Sequence, residues 1–184
     1  MRRHVMTCAI VTLALGALAI PTTAQARGAH VRSLRLQDRC DPASFDAAIG
    51  PGTCVPHSGQ RITFDEFLAK LNPVDFGHPK WNNHPDELDL RSGDSISAAV
   101  RGGEFHTFTE VPAFGPGCVD FINAALGLTT PRPTDAECGA LFATTGTAPG
   151  APPVVVSGLA DGTHLFMCLI HPWMRTVVEV GDDD

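Results

Sequence analysis

The second half of the chain contains short segments in which apolar and polar residues alternate, the pattern of β-strands with one buried face. Gly and Pro residues separate these segments at short intervals. Many short strands with frequent turns predict an all-β protein with a Greek-key sandwich. The predicted strands are Glu87–Leu90, Ser95–Val100, Val154–Val156, His164–Cys168 and Thr176–Val180.

Earlier in the chain, within residues 27–80, the sequence has helix signals. Asp41 followed by Pro42 is typical of an N-cap and the first helical position, and it predicts a short helix that ends before Gly50. Thr63 and Glu66 have the spacing of a capping box. The apolar face of this second helix comprises Phe64, Phe67, Leu68 and Leu71. We interpret this region as an N-terminal extension with short helices that packs on the outside of the sandwich.

A third region, between Val111 and Gly150, interrupts the strand pattern. It contains two cysteines, Cys118 and Cys138, and a helical pattern from Val119 to Leu126. We interpret it as a disulfide-bearing insertion that lies near the end of the sandwich where the candidate ligands meet.

The most informative run is residues 162–174. Cys168, His171 and Met174 lie three residues apart and supply a thiolate, an imidazole and a thioether. This set selects copper, because sulfur ligands favour Cu(I), imidazole accepts both oxidation states, and a weak axial Met suits an intermediate geometry. His106, which follows the strand predicted at Ser95–Val100, is our candidate for the fourth ligand.

These segments resemble the cupredoxins, the type 1 blue copper proteins. "GDSISAAVRGGEFHTF" at 93–108 is similar to their first-ligand region, and "GTHLFMCLIHPWMRTVVEV" at 162–180 is similar to their Cys-His-Met loop and last strand. The second segment looks most like the amicyanin and plastocyanin-like branch. The resemblance covers roughly residues 81 to 181 and implies a cupredoxin-like copper domain over 81–184.

The resemblance also implies a cofactor and a role. One type 1 copper ion would be held by His106, Cys168, His171 and the axial Met174, in a protein that carries single electrons and is not an enzyme. His171, flanked by Pro172, would present its edge at an exposed apolar patch. Two other functions stay open: a periplasmic copper-binding or delivery protein, and a cupredoxin-like module with a structural or adhesive role.

The chain departs from the family pattern beside two ligands. Cupredoxins usually have Asn after the first His and Ser or Thr after the Cys, which connects the two ligand loops by a hydrogen bond. Here the residues are Thr107 and Leu169. We expect the Thr107 hydroxyl to bond a backbone group instead.

Other chemistries fit the residues less well. A cysteine nucleophile with a His base is usually assembled from distant segments, and no oxyanion-loop signature accompanies Cys168. A binuclear copper centre needs a second Cys in the loop, and a multicopper oxidase needs His-x-His pairs, neither of which occurs. A buried free Cys with an ordinary core His remains the non-functional alternative.

The remaining histidines are interpreted as structural. His57, His78 and His84 lie in polar, Pro-rich surroundings and are predicted to be exposed. His164 shares a strand face with Cys168 and is predicted to pack in the core. Glu104 is interpreted as a loop residue, because a hard carboxylate suits a soft metal site poorly.

Residues 1–26 have the pattern of a secretory signal peptide. Two arginines precede an apolar run, and Ala24-Gln25-Ala26 is a small-x-small cleavage site. The apolar run is too short to span a bilayer stably. The sequence therefore predicts a secreted or periplasmic protein without a membrane span after signal removal.

Five cysteines would remain in the exported chain, where an oxidising compartment favours pairing. Five cannot all pair. If Cys168 binds metal, proximity in sequence favours Cys40–Cys54 and Cys118–Cys138, one of three possible connectivities.

The formal charge of −7 becomes −9 when the two arginines of the signal segment are removed. An acidic surface argues against nucleic acid as a partner, since nucleic-acid binding requires basic patches. It favours a cationic redox protein partner for a chain that we expect to be monomeric.

Overall fold

The computed structural model describes residues 28–181. The predicted signal peptide, residues 1–26, and the acidic tail from Asp182 lie outside the described residues. The ten strands are β1 (Val31–Gln37), β2 (Asn82–His84), β3 (Glu87–Leu90), β4 (Ser95–Val100), β5 (His106–Thr107), β6 (Thr109–Val111), β7 (Gly146–Thr147), β8 (Val154–Ser157), β9 (Gly162–Met167) and β10 (Arg175–Val180). The four helices are α1 (Pro42–Ala48), α2 (Phe64–Leu68), α3 (Asp120–Ala125) and α4 (Asp135–Thr145).

Eight strands form two four-stranded sheets, one in the order β2-β1-β4-β8 and one in the order β3-β10-β9-β6. Each sheet is mixed, because β1 runs parallel to β4 and β3 runs parallel to β10. The short strands β5 and β7 pair with each other. Inward-facing residues of both sheets, among them Leu36, Ile96, Phe166 and Val178, form one buried apolar cluster. The architecture is the predicted β-sandwich.

The central strand β1 was not predicted. It lies between β2 and β4, so the expectation that the whole of residues 27–80 packs outside the sandwich is wrong for this segment. The alternation is hard to recognise because Leu34 and Leu36 are the only buried residues of β1 and the apolar Val31 is exposed. This strand places the residues that follow it beside the end of β4.

The two N-terminal helices were predicted correctly. Asp41 caps α1 by accepting a hydrogen bond from the Ser44 backbone N–H at 3.0 Å, and Thr63 and Glu66 form the capping box of α2. Phe67 of α2 is buried against Phe45 and Trp81. This aromatic cluster forms a cover on one side of the candidate metal centre.

The insertion contains the predicted helix as α3 and a longer helix, α4, that was not predicted. A capping box between Thr134 and Glu137 begins α4 and is visible in the sequence. The apolar pattern of α4 is weak, since Cys138 is its only buried residue. The sequence therefore carried the start signal for this helix without the amphipathic stripe that usually accompanies it.

Both disulfides have the connectivity favoured from the sequence, Cys40–Cys54 and Cys118–Cys138. Cys168 is the free cysteine of the described chain, and it is buried. Between residues 28 and 181, none of the helices has the length and apolar character needed to cross a membrane.

Candidate metal centre

The candidate ligands lie where strands begin and end. His106 is the first residue of β5, Cys168 directly follows β9, and Met174 directly precedes β10. The loop between β9 and β10 is closed by backbone hydrogen bonds from Cys168 to the Met174 carbonyl at 3.0 Å and from Met174 to the His171 carbonyl at 2.9 Å. Regular backbone on both sides of the loop therefore fixes the ligand positions.

Three side chains converge. The Cys168 Sγ atom lies 3.7 Å from His106 Nδ1 and 3.8 Å from His171 Nδ1. The two imidazole centroids are 5.1 Å apart. Metal–nitrogen and metal–sulfur bonds of about 2.0–2.3 Å are compatible with a single ion that contacts all three atoms.

Met174 is completely buried and belongs to the same apolar cluster as Cys168. Its backbone bond to Cys168 brings the base of its side chain to the same end of the loop. All four residues predicted from the sequence thus lie in one buried region, with His171 at 2% exposure as the most accessible of them.

The thiol of Cys168 is activated by its neighbours. Burial alone would raise its pKa, but the hydrogen bonds and charges of His106 and His171 outweigh burial and hold the pKa of the Cys168 thiol well below its ordinary value. The thiolate is the form that binds metal. The donor set of one thiolate, two imidazole nitrogens and one thioether fits copper.

His106 has a carboxylate on its far side. Its Nε2 atom lies 2.9 Å from Asp38 Oδ2, and both side chains are completely buried. Burial opposes protonation of His106, but the hydrogen bonds to Asp38 and Cys168 raise its pKa to about 10. Burial would raise the pKa of Asp38, yet its hydrogen bond to His106 keeps that pKa below the ordinary value.

His171 also faces a carboxylate. Glu104 Oε2 lies 3.8 Å from His171 Nε2 and accepts a short hydrogen bond from the indole N–H of Trp81. Glu104 is 6% exposed, and burial raises its pKa above the ordinary value although the charges of His171 and His106 oppose this. Glu104 lies in the loop before β5, as interpreted from the sequence, but the long-range contact with Trp81 buries its side chain, which the sequence did not reveal.

His171 is not at the surface, contrary to the expectation from the sequence. Three aromatic rings surround it, with centroid distances of 6.0 Å to Phe67, 6.5 Å to Trp81 and 5.3 Å to Trp173. Phe67 and Trp81 come from the N-terminal region, so the residues next to His171 in sequence could not reveal this cover.

A cavity of about 260 Å³ adjoins His171. Glu104 is the single carboxylate in its lining, which is otherwise mainly apolar. Exposed apolar side chains form its rim: Ile49 is 53%, Phe121 is 50% and Phe105 is 37% exposed. The apolar patch expected at His171 thus lies outward of the imidazole.

The ligand segments are connected to each other and to the insertion. The Thr107 hydroxyl accepts a hydrogen bond from the Leu169 backbone N–H at 2.8 Å, as expected for a hydroxyl in place of the usual Asn. The Thr107 backbone N–H lies 3.5 Å from Cys168 Sγ. On the other side, the Cys118 backbone N–H donates to the Leu169 carbonyl, which joins the insertion to the ligand loop.

The other histidines lie outside the cluster. His84 is exposed, as predicted, but His78 is buried against Trp81, and the half-buried His57 donates a hydrogen bond from Nε2 to the Cys40 carbonyl. The prediction of exposure was wrong for these two because the aromatic cluster and the first disulfide cover them. His164 is also not a core residue: its ring bonds Glu110 and the Ala160 carbonyl near the surface.

Two other groups of potential ligands occur in the described chain, and both include Cys40. Because Cys40 is in a disulfide, its sulfur is not available as a thiolate. The group of His106, Cys168 and His171 is therefore the one with a free thiol.

No family model and no curated protein sequence matches the chain. Among solved structures, plastocyanin from Dryopteris crassirhizoma is 15% identical, with 56% of this chain and 90% of that chain covered and a TM-score of 0.36. A purple cupredoxin from Nitrosopumilus maritimus is 9% identical, with coverage of 81% and 98% and a TM-score of 0.41. Pseudoazurin from Methylobacterium extorquens AM1 is 14% identical, with coverage of 83% and 76% and a TM-score of 0.36.

The chain's own fold is a β-sandwich of two four-stranded sheets. The sandwich includes β1 in addition to the strands after residue 80.

Proposed function

We propose that this protein is an exported mononuclear type 1 copper protein that carries single electrons and acts on no substrate of its own. The observation that carries the proposal is the buried thiol of Cys168, which lies between the Nδ1 atoms of His106 and His171 at 3.7 and 3.8 Å. Together with Met174, these residues would hold one copper ion. Copper bound there would supply one-electron chemistry by alternating between Cu(II) and Cu(I).

The protein would contribute a rigid and dry environment. The Cys168–Met174 loop is closed by backbone hydrogen bonds, and Thr107 connects it to β5. The four ligand side chains are at most 2% exposed. Little rearrangement would accompany a change of oxidation state, which favours fast electron transfer.

Electrons would enter or leave through the covered side of His171. A redox protein partner would contact the apolar rim formed by Ile49, Phe105 and Phe121, beyond which the cavity reaches the imidazole. The acidic chain favours a partner with a cationic surface around its own redox site. The predicted signal peptide supports a secreted or periplasmic location.

A copper-delivery protein is the alternative function. Delivery requires ligands that an acceptor protein can reach, whereas all four ligands here are buried. Burial therefore favours electron transfer over delivery.

Copper loading of the purified protein tests the proposal. We expect one equivalent of Cu(II) to give an intense visible thiolate-to-copper absorption that is bleached by one electron. Cys168→Ser should remove this absorption and retain the circular dichroism of the folded chain, since the sandwich has its own core. His78→Ala serves as a matched control, because His78 is buried but lies outside the ligand cluster. Retention of the absorption in Cys168→Ser would refute the assignment.

A further inference from the structure

Asp38 is a buried carboxylate at the end of the unpredicted strand. It follows β1, is 0% exposed, and its ion-pair contacts within residues 28–181 are to imidazoles, at 2.9 Å from His106 and 4.0 Å from His57. The parallel pairing of β1 with β4 makes both strands end at the same place, and the Arg101 backbone N–H donates to the Leu36 carbonyl at 2.8 Å. The loop after β4 therefore wraps around the Asp38 side chain.

The loop after β4 packs so closely around the Asp38 side chain that two of its positions, Gly102 and Gly103, have no room for a Cβ atom. A Cβ atom on Gly102 would lie 2.0 Å from Asp38 Oδ2, and one on Gly103 would lie 2.6 Å from the Val55 carbonyl oxygen. Neither distance is sterically possible without movement of the surroundings. The backbone at this point is built around the carboxylate.

Every hydrogen bond to Asp38 comes from an N–H group. Oδ1 accepts from the backbone N–H groups of Gly103 at 2.8 Å and Cys40 at 3.4 Å. Oδ2 accepts from the backbone N–H of Glu104 at 3.1 Å and from His106 Nε2 at 2.9 Å. Because the carboxylate offers only acceptors, His106 must carry its proton on Nε2. When His106 is neutral, Nδ1 therefore has the lone pair, and this atom faces Cys168 Sγ at 3.7 Å.

We propose that Asp38 is the positioning residue of the metal centre: it fixes the metal-binding tautomer of His106 and, through its negative charge, lowers the reduction potential of the bound copper. The inference rests on the proposed function, because it assigns a role toward the same ion. A carboxylate that accepts a hydrogen bond from the N–H of a ligand imidazole increases the basicity of the other ring nitrogen, which binds the metal. It therefore stabilises Cu(II) more than Cu(I).

The substitution Asp38→Asn keeps the size of the side chain but removes its negative charge and replaces one acceptor oxygen by a donor NH₂ group. If the amide oxygen keeps the Gly103 and Cys40 bonds, the NH₂ group must face the Glu104 N–H and His106 Nε2. A backbone N–H group is always a donor, so the amide cannot be oriented with its NH₂ group toward both Gly103 and Cys40. The imidazole of His106, in contrast, can become an acceptor by moving its proton from Nε2 to Nδ1. That tautomer has no lone pair at the nitrogen that faces Cys168, so it cannot bind copper there.

The matched control is Asp94→Asn. Asp94 is also buried, at 8% exposure, and accepts two backbone N–H groups, from His30 at 2.7 Å and Arg91 at 3.3 Å. It precedes β4, whereas the loop around Asp38 follows that strand. Loss of this carboxylate removes the same charge without contact to a ligand histidine.

We expect Asp38→Asn to weaken Cu(II) binding about 10- to 100-fold and to raise the potential of the copper-saturated protein. A loss tenfold greater for Cu(II) than for Cu(I) corresponds to a rise of about 59 mV, because one electron is transferred. Asp94→Asn should leave both quantities near the wild-type values. An unchanged potential in Asp38→Asn, or equal shifts in the two variants, would overturn the proposal.

A second measurement uses the wild-type chain and holds even if Asp38→Asn fails to fold. In the diamagnetic Cu(I) protein, ¹H–¹⁵N correlation spectra should show a slowly exchanging proton on His106 Nε2. A rapidly exchanging Nε2 proton would refute the positioning role while leaving the copper site intact, whereas a proton on Nδ1 would show that His106 is not a ligand and would refute both. Failure of the wild-type protein to bind copper would instead refute the proposed function.

Discussion

The Thr107 hydroxyl and the Leu169 backbone N–H form a buried hydrogen bond of 2.8 Å that joins the strand of His106 to the loop of the other three candidate ligands. The Thr109 hydroxyl also donates to Thr107 Oγ1, at 3.1 Å. A single hydroxyl thus performs the connecting role for which the resemblance implied a pair of side chains.

Removal of this hydroxyl should destabilise the protein without a change of shape. Thr107→Val keeps the branched side chain but leaves the Leu169 N–H buried without an acceptor, at a cost of about 1–3 kcal/mol in the free energy of unfolding. Thr107→Ser, which keeps the hydroxyl, is the control. Denaturant unfolding of both variants checks this, and equal stabilities would show that the hydrogen bond contributes nothing.

Met174 should tune the potential rather than hold the ion. Met174→Gln places a harder oxygen donor in the axial position, which stabilises Cu(II) relative to Cu(I) and should lower the reduction potential. Met167→Gln is the control, because Met167 is equally buried but precedes Cys168 in β9. Voltammetry in which Met174→Gln has an unchanged or raised potential would argue against an axial Met174.

The insertion should transmit distortion to the ligand loop through Gly117. A Cβ atom there would lie 2.2 Å from the Leu169 carbonyl oxygen, directly beside Cys168. Gly117→Ala should therefore cost about 1–3 kcal/mol of stability, as other overpacked sites do, and shift the visible spectrum of the copper protein. Gly115→Ala is matched to it, since its Cβ atom would meet nothing nearer than 4.0 Å. Identical spectra for the two variants would contradict this connection.

The pair of His164 and Glu110 should make stability depend on pH. The hydrogen bond from His164 to the Glu110 carboxylate, with a further bond to the Ala160 carbonyl, raises the pKa of His164. A raised pKa in the folded state means that the stabilisation is complete below the unfolded value of about 6.5. It is lost as pH rises through the higher folded pKa.

We therefore expect wild type to exceed His164→Gln in stability at low pH and to lose this advantage as pH increases above about 6.5. Thermal unfolding of both proteins across this range measures the difference. An advantage that is constant or grows with pH would contradict the predicted sign. Glu110→Gln should remove most of the dependence, because it removes the charge that favours the imidazolium.

The proximity of Cys168, His171 and Met174 could be predicted because they lie in one short run of sequence with chemically distinctive side chains. The surroundings of these ligands could not. Asp38 reaches His106 only through the parallel pairing of β1 and β4, across 68 positions of sequence. Likewise, the burial of His171 depends on contacts with Phe67 and Trp81. The sequence around these two aromatic residues does not indicate that they pack against His171.

The same limit applies to the boundary placed at residue 80. A fragment that began at residue 81 would keep every predicted ligand, yet it would lack the strand between β2 and β4 and the carboxylate behind His106. The metal centre and the sandwich are therefore not separable modules. The segment before residue 81 is an internal component of the unit that holds the candidate ligands, and deletion of this segment would remove a strand of the sandwich together with the partner of His106.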